Sequence, residues 1–176
     1  MKINSRLNAV LIIVAVFISG CVVQSKQLNT LINLTKDPKF DISDAAWTLR
    51  YSGYESIVYA ISTENGILFS NNSGDQVLFD GWVITDVIGV GRSKININIS
   101  DADGIRVFKK GVRQLSRHFC GDWDRLEKSD VIRYSQSCES ERSYQNIILV
   151  GEDENVSLIR QIIDEKYSAL TLSKLN

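Results

Sequence analysis

The sequence predicts a mainly β protein, whose antiparallel sheet curls or closes like a barrel after a short N-terminal helix or tether. Three observations predict this fold class. Short apolar runs with alternating or β-branched residues follow one another closely, most are separated by hairpin-type turns, and no βαβ alternation is visible. The 176 residues fit one domain that is large enough to bury a core.

Composition and charge exclude several classes of protein. With 44% hydrophobic and 23% charged residues, the chain is neither disordered, collagenous nor a multi-span membrane protein. The formal net charge is −1, and loss of the leader described below removes Lys2 and Arg6, which leaves −3. A mildly acidic domain is not suited to nucleic acid or to electrostatic attachment to anionic lipid, so no nucleic-acid partner is predicted.

Residues 1–20 have the pattern of a secretory signal peptide. Lys2 and Arg6 form a basic start, and Leu7–Phe17 is an apolar run too short to span a bilayer comfortably. Small residues then precede Cys21, which resembles the bacterial lipobox. The alternative is an uncleaved N-terminal anchor helix in which Cys21 is incidental.

The lipobox resemblance implies that Cys21 becomes the N-terminus of the mature protein and carries lipid. The group is a covalent diacylglyceryl with an N-acyl chain such as palmitate, and several acyl chains at one residue give stable anchoring. Val22 is not acidic, which by resemblance to sorting rules in enteric-type bacteria implies the periplasmic face of the outer membrane. The membrane is therefore a predicted partner, and no other cofactor is predicted.

Residues 21–46 are predicted as a lipid anchor and tether, and residues 47–176 as a single antiparallel β domain. The tether contains Pro38, the only proline, and has helical spacing of its apolar residues around Leu28–Leu34.

Apolar runs predict the strands of the β domain, and turn residues separate them. Glu64-Asn65-Gly66 and Asp80-Gly81 are hairpin signals, and Asp101–Gly104 is a third turn. The predicted strands are Trp47–Tyr51, Ile57–Ile61, Ile67–Phe69, Val77–Phe79, Trp82–Thr85, Ile95–Ile99, Ile105–Phe108, Val131–Tyr134 and Tyr144–Val150.

The stretch 156–167 is ambiguous between helix and strand. Its apolar residues follow a helical stripe, and periodicity alone favours a helix. The same residues also fit two strands split near Asp164-Glu165-Lys166, with Glu152–Asn155 as a preceding turn.

Two cysteines remain once Cys21 is assigned to lipid. An oxidising periplasm favours a disulfide between Cys120 and Cys138. The alternative is two buried free thiols that do not meet.

Several segments, in this order, resemble the YjbF/GfcB family of lipoproteins, which accompanies exopolysaccharide and group 4 capsule production in Gram-negative bacteria. The segments are Ser52–Ile57, Asn65–Phe69, Gly74–Thr85, Ile88–Gly91 and Glu152–Gln161. Gly74–Thr85 is the most similar of them, with a polar turn, a strand, a glycine turn, a second strand and a threonine. The resemblance implies that Val156–Gln161 is a strand, and that the partners are a polysaccharide or proteins of its export machinery.

The residues with reactive side chains are not arranged to form one site. His118 is the only histidine, and Ser116, His118, Cys120 and Asp122 would share one face of a strand. Four groups in alternate positions spread along a strand rather than surround an ion or a substrate. No catalytic, metal or cofactor-binding residue is therefore predicted, and the protein is expected not to be an enzyme.

Other polar patterns are better explained without chemistry. Asp101, Asp103 and Gly104 lack the further ligands of a calcium loop, and Gly89-Val90-Gly91 lacks the third glycine of a nucleotide fingerprint. A third pattern is a cluster of four acidic residues, Asp122, Asp124, Glu127 and Asp130. Two of them could supply the carboxylate pair of a glycosidase. However, Arg125 and Lys128 are interleaved with them, as in an exposed salt-bridged segment.

Aromatic residues offer two interpretations. Their flat faces can stack on sugar rings, but packing in the core or against the sheet is favoured. The residues are Trp47, Tyr51, Tyr54, Tyr59, Trp82, Trp123 and Tyr134.

Three functional hypotheses follow. The first is a non-enzymatic outer-membrane lipoprotein that assists assembly or export of a polysaccharide. The second is a generic envelope lipoprotein that acts as a structural or chaperone-like partner of outer-membrane components. The third, a periplasmic hydrolase, has the least support.

Overall fold

The computed structural model describes residues 46–128, 130–151 and 155–175, which form a closed antiparallel barrel of twelve strands. The mainly β, barrel-like prediction is confirmed. The predicted signal peptide 1–20, Cys21, and the predicted tether 21–46 with the short helix expected in it lie outside the described residues, apart from Ala46. No helix in the described part of the chain is long and apolar enough to cross a membrane.

The strands follow one another around the barrel in chain order. They are β1 (Ala46–Tyr51), β2 (Tyr54–Thr63), β3 (Gly66–Ser70), β4 (Gln76–Phe79), β5 (Ile84–Val90), β6 (Ile95–Ala102), β7 (Ile105–Lys110), β8 (Arg113–Lys128), β9 (Val131–Glu139), β10 (Ser143–Val150), β11 (Val156–Ile162) and β12 (Ala169–Lys174).

The first and last strands close the barrel. Trp47 on β1 lies opposite Val58 on β2 and opposite Lys174 on β12, so both sides of β1 are paired. The amide of Leu175 also donates to the carbonyl of Ala46 at 2.9 Å. Closure removes the open sheet edges that would otherwise invite pairing with another chain.

Alternate side chains point into the barrel and fill it. Trp47 and Phe69 lie at the centre of this core, with ring centroids 5.1 Å apart in an edge-to-face arrangement. The fully buried apolar side chains around them include Leu49, Phe79, Phe108, Ile148, Ile159, Leu170 and Leu172. The period-two alternation of apolar residues in the sequence therefore reflects one face turned to this core.

The predicted hairpins are confirmed at Glu64-Asn65-Gly66 and at Asp80-Gly81. A β-carbon on Gly66, which has a φ of +120°, would collide with the carbonyl oxygen of Phe79, so the tight turn requires glycine there. The strand predicted from Trp82 begins only at Ile84. Trp82 and Val83 instead form a turn, because the Asp80 carboxylate accepts both of their amide hydrogens, at 2.8 and 2.6 Å.

The helical interpretation of residues 156–167 is wrong, and the alternative of two strands is confirmed. β11 pairs with β10 on one side and with β12 on the other, and the break falls at the predicted Asp164-Glu165-Lys166. Near that break both faces are buried, as shown by adjacent Gln161, Ile162, Ile163 and Asp164. Burial on both faces destroys the period-two pattern and imitates a helical stripe.

β8 is the longest strand and was not predicted. It pairs with β7 through its first half, up to Phe119, and with β9 from Phe119 to Lys128. Each half of β8 therefore pairs mainly with one neighbour, and most of its residues are exposed. Its sequence is therefore rich in charge and lacks the apolar alternation of the other strands.

Candidate functional site

A cavity of about 550 Å³ opens at one end of the barrel, which we call the mouth. It lies where four connections meet: β1–β2, β5–β6, β7–β8 and β11–β12. Its apolar lining comes from Tyr51, Ile95, Ile97 and Leu115. Gly91 is also part of the wall, and its positive φ and its position against the Tyr51 ring leave no room for a larger residue without a shift. The volume lies within the range of about 300–1,000 Å³ typical of ligand sites.

The rim of the mouth is basic although the chain as a whole is weakly acidic. Five cations line it, against the carboxylates of Asp164 and Glu165. The five are Arg92, Lys94, Lys110, Arg113 and Lys166. Each of them is exposed.

One of the two carboxylates of the mouth, that of Asp164, accepts hydrogen bonds from other groups of the protein. Asp164 accepts a hydrogen bond from the Tyr51 hydroxyl at 2.7 Å and from the amides of Lys166 and Ser168 at 3.0 and 2.8 Å. Burial, followed by the bond to Asp164, raises the pKa of Tyr51, so its hydroxyl stays protonated and donates. Asp164 therefore shapes the loop between β11 and β12, and the two carboxylates leave the five cations of the mouth in excess.

Lys94 links the mouth to a buried carboxylate. Its Nζ lies 3.5 Å from Oδ1 of Asp75, which is fully buried. The other oxygen of Asp75 accepts from the Tyr54 hydroxyl at 2.7 Å and from Ser56 Oγ and Asn71 Nδ2 at 2.8 Å each. Burial acts to raise the pKa of Asp75, but these three donors and Lys94 outweigh it and lower the pKa. Asp75 is thus an ionised residue that holds the connection between β3 and β4 in place.

The predicted pair Cys120 and Cys138 is joined in a disulfide. The two residues lie directly opposite each other on β8 and β9, with Cα atoms 4.0 Å apart. The Cys120 amide points away, to the carbonyl of Gly104 at 2.8 Å. This is the non-hydrogen-bonded type of cross-strand pair, in which side chains approach most closely.

A buried polar layer lies beside the disulfide inside the barrel. The Arg106 guanidinium is fully buried and binds Asp101 and, at 2.9 Å, Oε1 of Gln136. Asn146 Nδ2 donates to the same Gln136 oxygen at 3.3 Å and to the sulfur of Cys138 at 3.4 Å. The Asp101–Gly104 turn, considered above as a calcium loop, therefore supplies a structural partner for Arg106.

The structure does not bring Ser116, His118, Cys120 and Asp122 together as a site. His118 is buried, shares a 2.8 Å hydrogen bond with Tyr144 and stacks on Tyr167 at 5.5 Å. Burial and the Arg106 charge lower its pKa, so the ring is neutral. The pairing of β8 with β9 shifts by one residue between Cys120 and Trp123, which breaks the expected alternation and leaves Asp122 exposed.

The other acidic groups behave as solvated or paired residues. Arg125 and Glu127 form an exposed ion pair at 2.8 Å, as the interleaved charges predicted. Within the described ranges no three residues among His, Cys, Asp and Glu are close enough to hold a metal ion. Gly89 lies at a register shift between β5 and β6, and Gly91 begins a turn, so neither belongs to a nucleotide loop.

The aromatic residues divide between core and surface. Trp47 and Tyr51 are buried, and Tyr54 is tied to Asp75, in agreement with the favoured packing role. Trp82 packs against Trp123 at 5.6 Å and against Tyr134 at 5.3 Å, at the end of the barrel opposite the mouth. Tyr59 is 55% exposed on the outer wall.

The basic mouth was missed by the sequence reasoning. Its signal is local: Gly91-Arg92-Ser93-Lys94 and Lys110-Gly111-Val112-Arg113 are two basic glycine turns, each joining consecutive strands. In an up-and-down barrel, alternate turns lie at the same end, which brings these two turns together. No known family model, curated protein or solved structure matches the chain.

Proposed function

We propose that this protein is a lipoprotein anchored to the periplasmic face of the outer membrane, where it assists assembly or export of a surface polysaccharide without catalysing a reaction. The observation that carries the proposal is Cys21, directly after a signal-peptide pattern, together with the resemblance of Gly74–Thr85 to capsule-associated lipoproteins. The signal-peptide pattern supports the proposed location, and the resemblance supports the proposed role in polysaccharide assembly or export.

The disulfide supports the proposed compartment. Bonds of this kind persist in oxidising environments such as the periplasm and are rare in the cytosol. Pairing of Cys120 with Cys138 also leaves Cys21 as the one cysteine available for lipid. The disulfide and the one remaining cysteine are therefore both consistent with a lipoprotein in the periplasm.

The geometry favours a binding role over a catalytic one. His118 is already engaged with Tyr144 and Tyr167, and its neutral ring is buried away from the mouth lining. The mouth offers an open cavity with an apolar lining and more cations than carboxylates, features that orient a ligand. In this proposal the polysaccharide contacts the protein at the mouth.

Deletion of the gene is expected to reduce surface polysaccharide, measured by staining intact cells with a capsule- or exopolysaccharide-specific dye. Restoring the wild-type gene on a plasmid should restore the stain. Unchanged polysaccharide together with a general envelope defect, such as detergent sensitivity, would reject this role in favour of the second candidate.

That second candidate, a structural or chaperone-like partner of outer-membrane components, is favoured by an apolar stripe on the outer wall of β2. Ile57, Tyr59 and Ile61 point outward and are 53%, 55% and 49% exposed. Adjacent exposed apolar side chains of this kind are typical of surfaces that contact another protein. The deletion phenotype distinguishes the two candidates.

Substitution Cys21→Ser is expected to release the protein from the membrane fraction, because serine has no thiol to accept the diacylglyceryl group. Cell fractionation and intact mass measure the result, and the wild-type protein should carry acyl mass on its N-terminal cysteine. Cys138→Ala is the matched control, since it removes a cysteine and leaves the lipobox intact. A Cys21→Ser protein that stays in the membrane, or a wild-type protein without acyl mass, would contradict the lipid anchor.

A further inference from the structure

We infer that the mouth binds an anionic sugar of the polysaccharide, with the acidic substituent against Arg92, Lys110 and Arg113 and the ring against the apolar lining. This inference rests on the proposed function and names the chemical class of its ligand. Two features of the mouth carry it: charge and shape.

Most of the positive charges at the rim of the mouth form no ion pair within the described part of the protein. In the described part of the chain, neither Arg92, Lys110 nor Arg113 has a carboxylate within ion-pair distance, and Lys94 is the one rim cation bound to an acid. Cations gathered around one opening repel each other, and an anion that enters relieves the repulsion. Arginine also presents a planar fork of donors that matches a carboxylate or a phosphate.

The shape of the mouth fits a ring with one polar edge. Tyr51, Ile97 and Leu115 give apolar contact, and the basic residues stand at the rim. A sugar ring has apolar C–H faces and hydroxyl groups at its edge, and an acidic sugar adds a charge there. Aromatic and aliphatic lining combined with a few charged groups is the usual composition of a site for such a molecule.

The concave form of the mouth favours a polysaccharide over a membrane surface as the source of the anion. A flat bilayer cannot fill a concave cavity, whereas a single sugar of a chain can enter it.

The test uses the mature lipoprotein from Cys21, solubilised in detergent, and measures binding by calorimetry. The probes are an oligogalacturonate and a neutral galactose oligomer of equal length. The acidic oligomer is expected to bind more tightly, and added salt should weaken it because salt screens exposed charges. Lys110→Gln/Arg113→Gln is expected to weaken that binding by about tenfold or more, since two charged contacts are lost.

Lys128→Gln/Arg160→Gln is the matched control, because it removes the same charge from exposed positions outside the mouth. Arg92→Gln, a single change in a turn, is a second test variant if the double variant does not fold. Equal binding of acidic and neutral oligomers, or equal weakening by both double variants, would overturn the inference. So would binding to phosphatidylglycerol vesicles without binding to the oligomer, because the anion would then be lipid.

The outcomes of this test and of the gene deletion are separate. If the oligomer binds at the mouth while surface polysaccharide is unchanged in the deletion strain, the acid site stands and the role in polysaccharide export fails. If the deletion removes the polysaccharide and the mouth does not bind acid, the proposed function stands and the inference fails.

Discussion

Substitution Asp75→Ala is expected to destabilise the barrel by about 3–5 kcal/mol, the usual result of removing one partner from a buried ionic network. The substitution leaves the partly buried Tyr54, Ser56 and Asn71 without their common acceptor. An unsatisfied donor costs about 1–3 kcal/mol when it is fully buried and less where water reaches it. Lys94 contributes less to the loss, because its side chain is more than half exposed and water can solvate the ammonium group. Urea unfolding, followed by tryptophan fluorescence, measures the change in the free energy of unfolding.

Glu55→Gln is the matched control for Asp75. It removes a carboxylate from β2, between the Asp75 donors Tyr54 and Ser56, but from an exposed pair with Arg50, and such pairs contribute about 0–1 kcal/mol. Asp75→Asn should fall between the two, because it keeps the shape and one acceptor oxygen and removes the charge. An Asp75→Ala protein as stable as the Glu55→Gln protein would show that the buried carboxylate does not hold this end of the barrel.

The Asp75 network also predicts how stability depends on pH. The pKa of Asp75 is lowered in the folded protein from its ordinary value of 3.8, so the folded state binds the proton less readily than the unfolded chain. Its contribution is therefore complete above pH 3.8 and is lost as the pH falls through the folded pKa. Asp75→Asn is expected to flatten the loss of stability over this acid range.

Much of the barrel follows from local signals in the sequence. Where one face of a strand meets the core and the other meets water, apolar residues alternate, as at Ile95–Ile99, and the strand is predictable. Glu64-Asn65-Gly66 fixes a hairpin because the tight turn there needs glycine. Such signals depend on a few neighbouring residues, and tertiary structure does not override them.

The features of the fold that the sequence did not predict depend on contacts between residues that are distant in sequence. β8 has no apolar alternation, since its two halves pair with different strands and much of it remains in water. The register shift after Cys120 depends on the fit of β8 to β9, and it moved Asp122 off the face that it was expected to share with His118. The spacing of residues along one strand cannot reveal either effect.

The candidate site was predicted least well. Asp75 was read as one residue of a polar turn, yet its donors Tyr54 and Ser56 lie about twenty positions earlier on another strand. The mouth is assembled from four connections, and the order of the strands around the barrel decides which of them share one end. Cys120 and Cys138 were predictable as a pair because their chemistry and compartment, rather than their geometry, carried the prediction.

Reduction of the Cys120–Cys138 bond is expected to destabilise the protein by about 3 kcal/mol, because the cysteines are separated by 18 residues and the bond restricts the unfolded chain. For a domain of this size the melting temperature should fall by on the order of 10 °C. Thermal unfolding of wild-type protein with and without dithiothreitol measures the difference. Cys21→Ser is the matched control: it loses a cysteine but keeps the bond, so its response to the reductant should equal that of the wild type.

The double variant Cys120→Ala/Cys138→Ala separates the bond from the sulfur atoms. Reduction opens the loop but leaves the Cys138 sulfur as an acceptor for Asn146, whereas the double variant removes both. Since Asn146 also donates to Gln136, the additional loss in the double variant should be small beside that of the bond. A reduced wild type that melts with the oxidised protein, while the double variant melts far below both, would locate the stabilisation in packing of the buried polar layer. Equal losses on reduction and in the double variant would locate it in the restriction of the unfolded chain between β8 and β9.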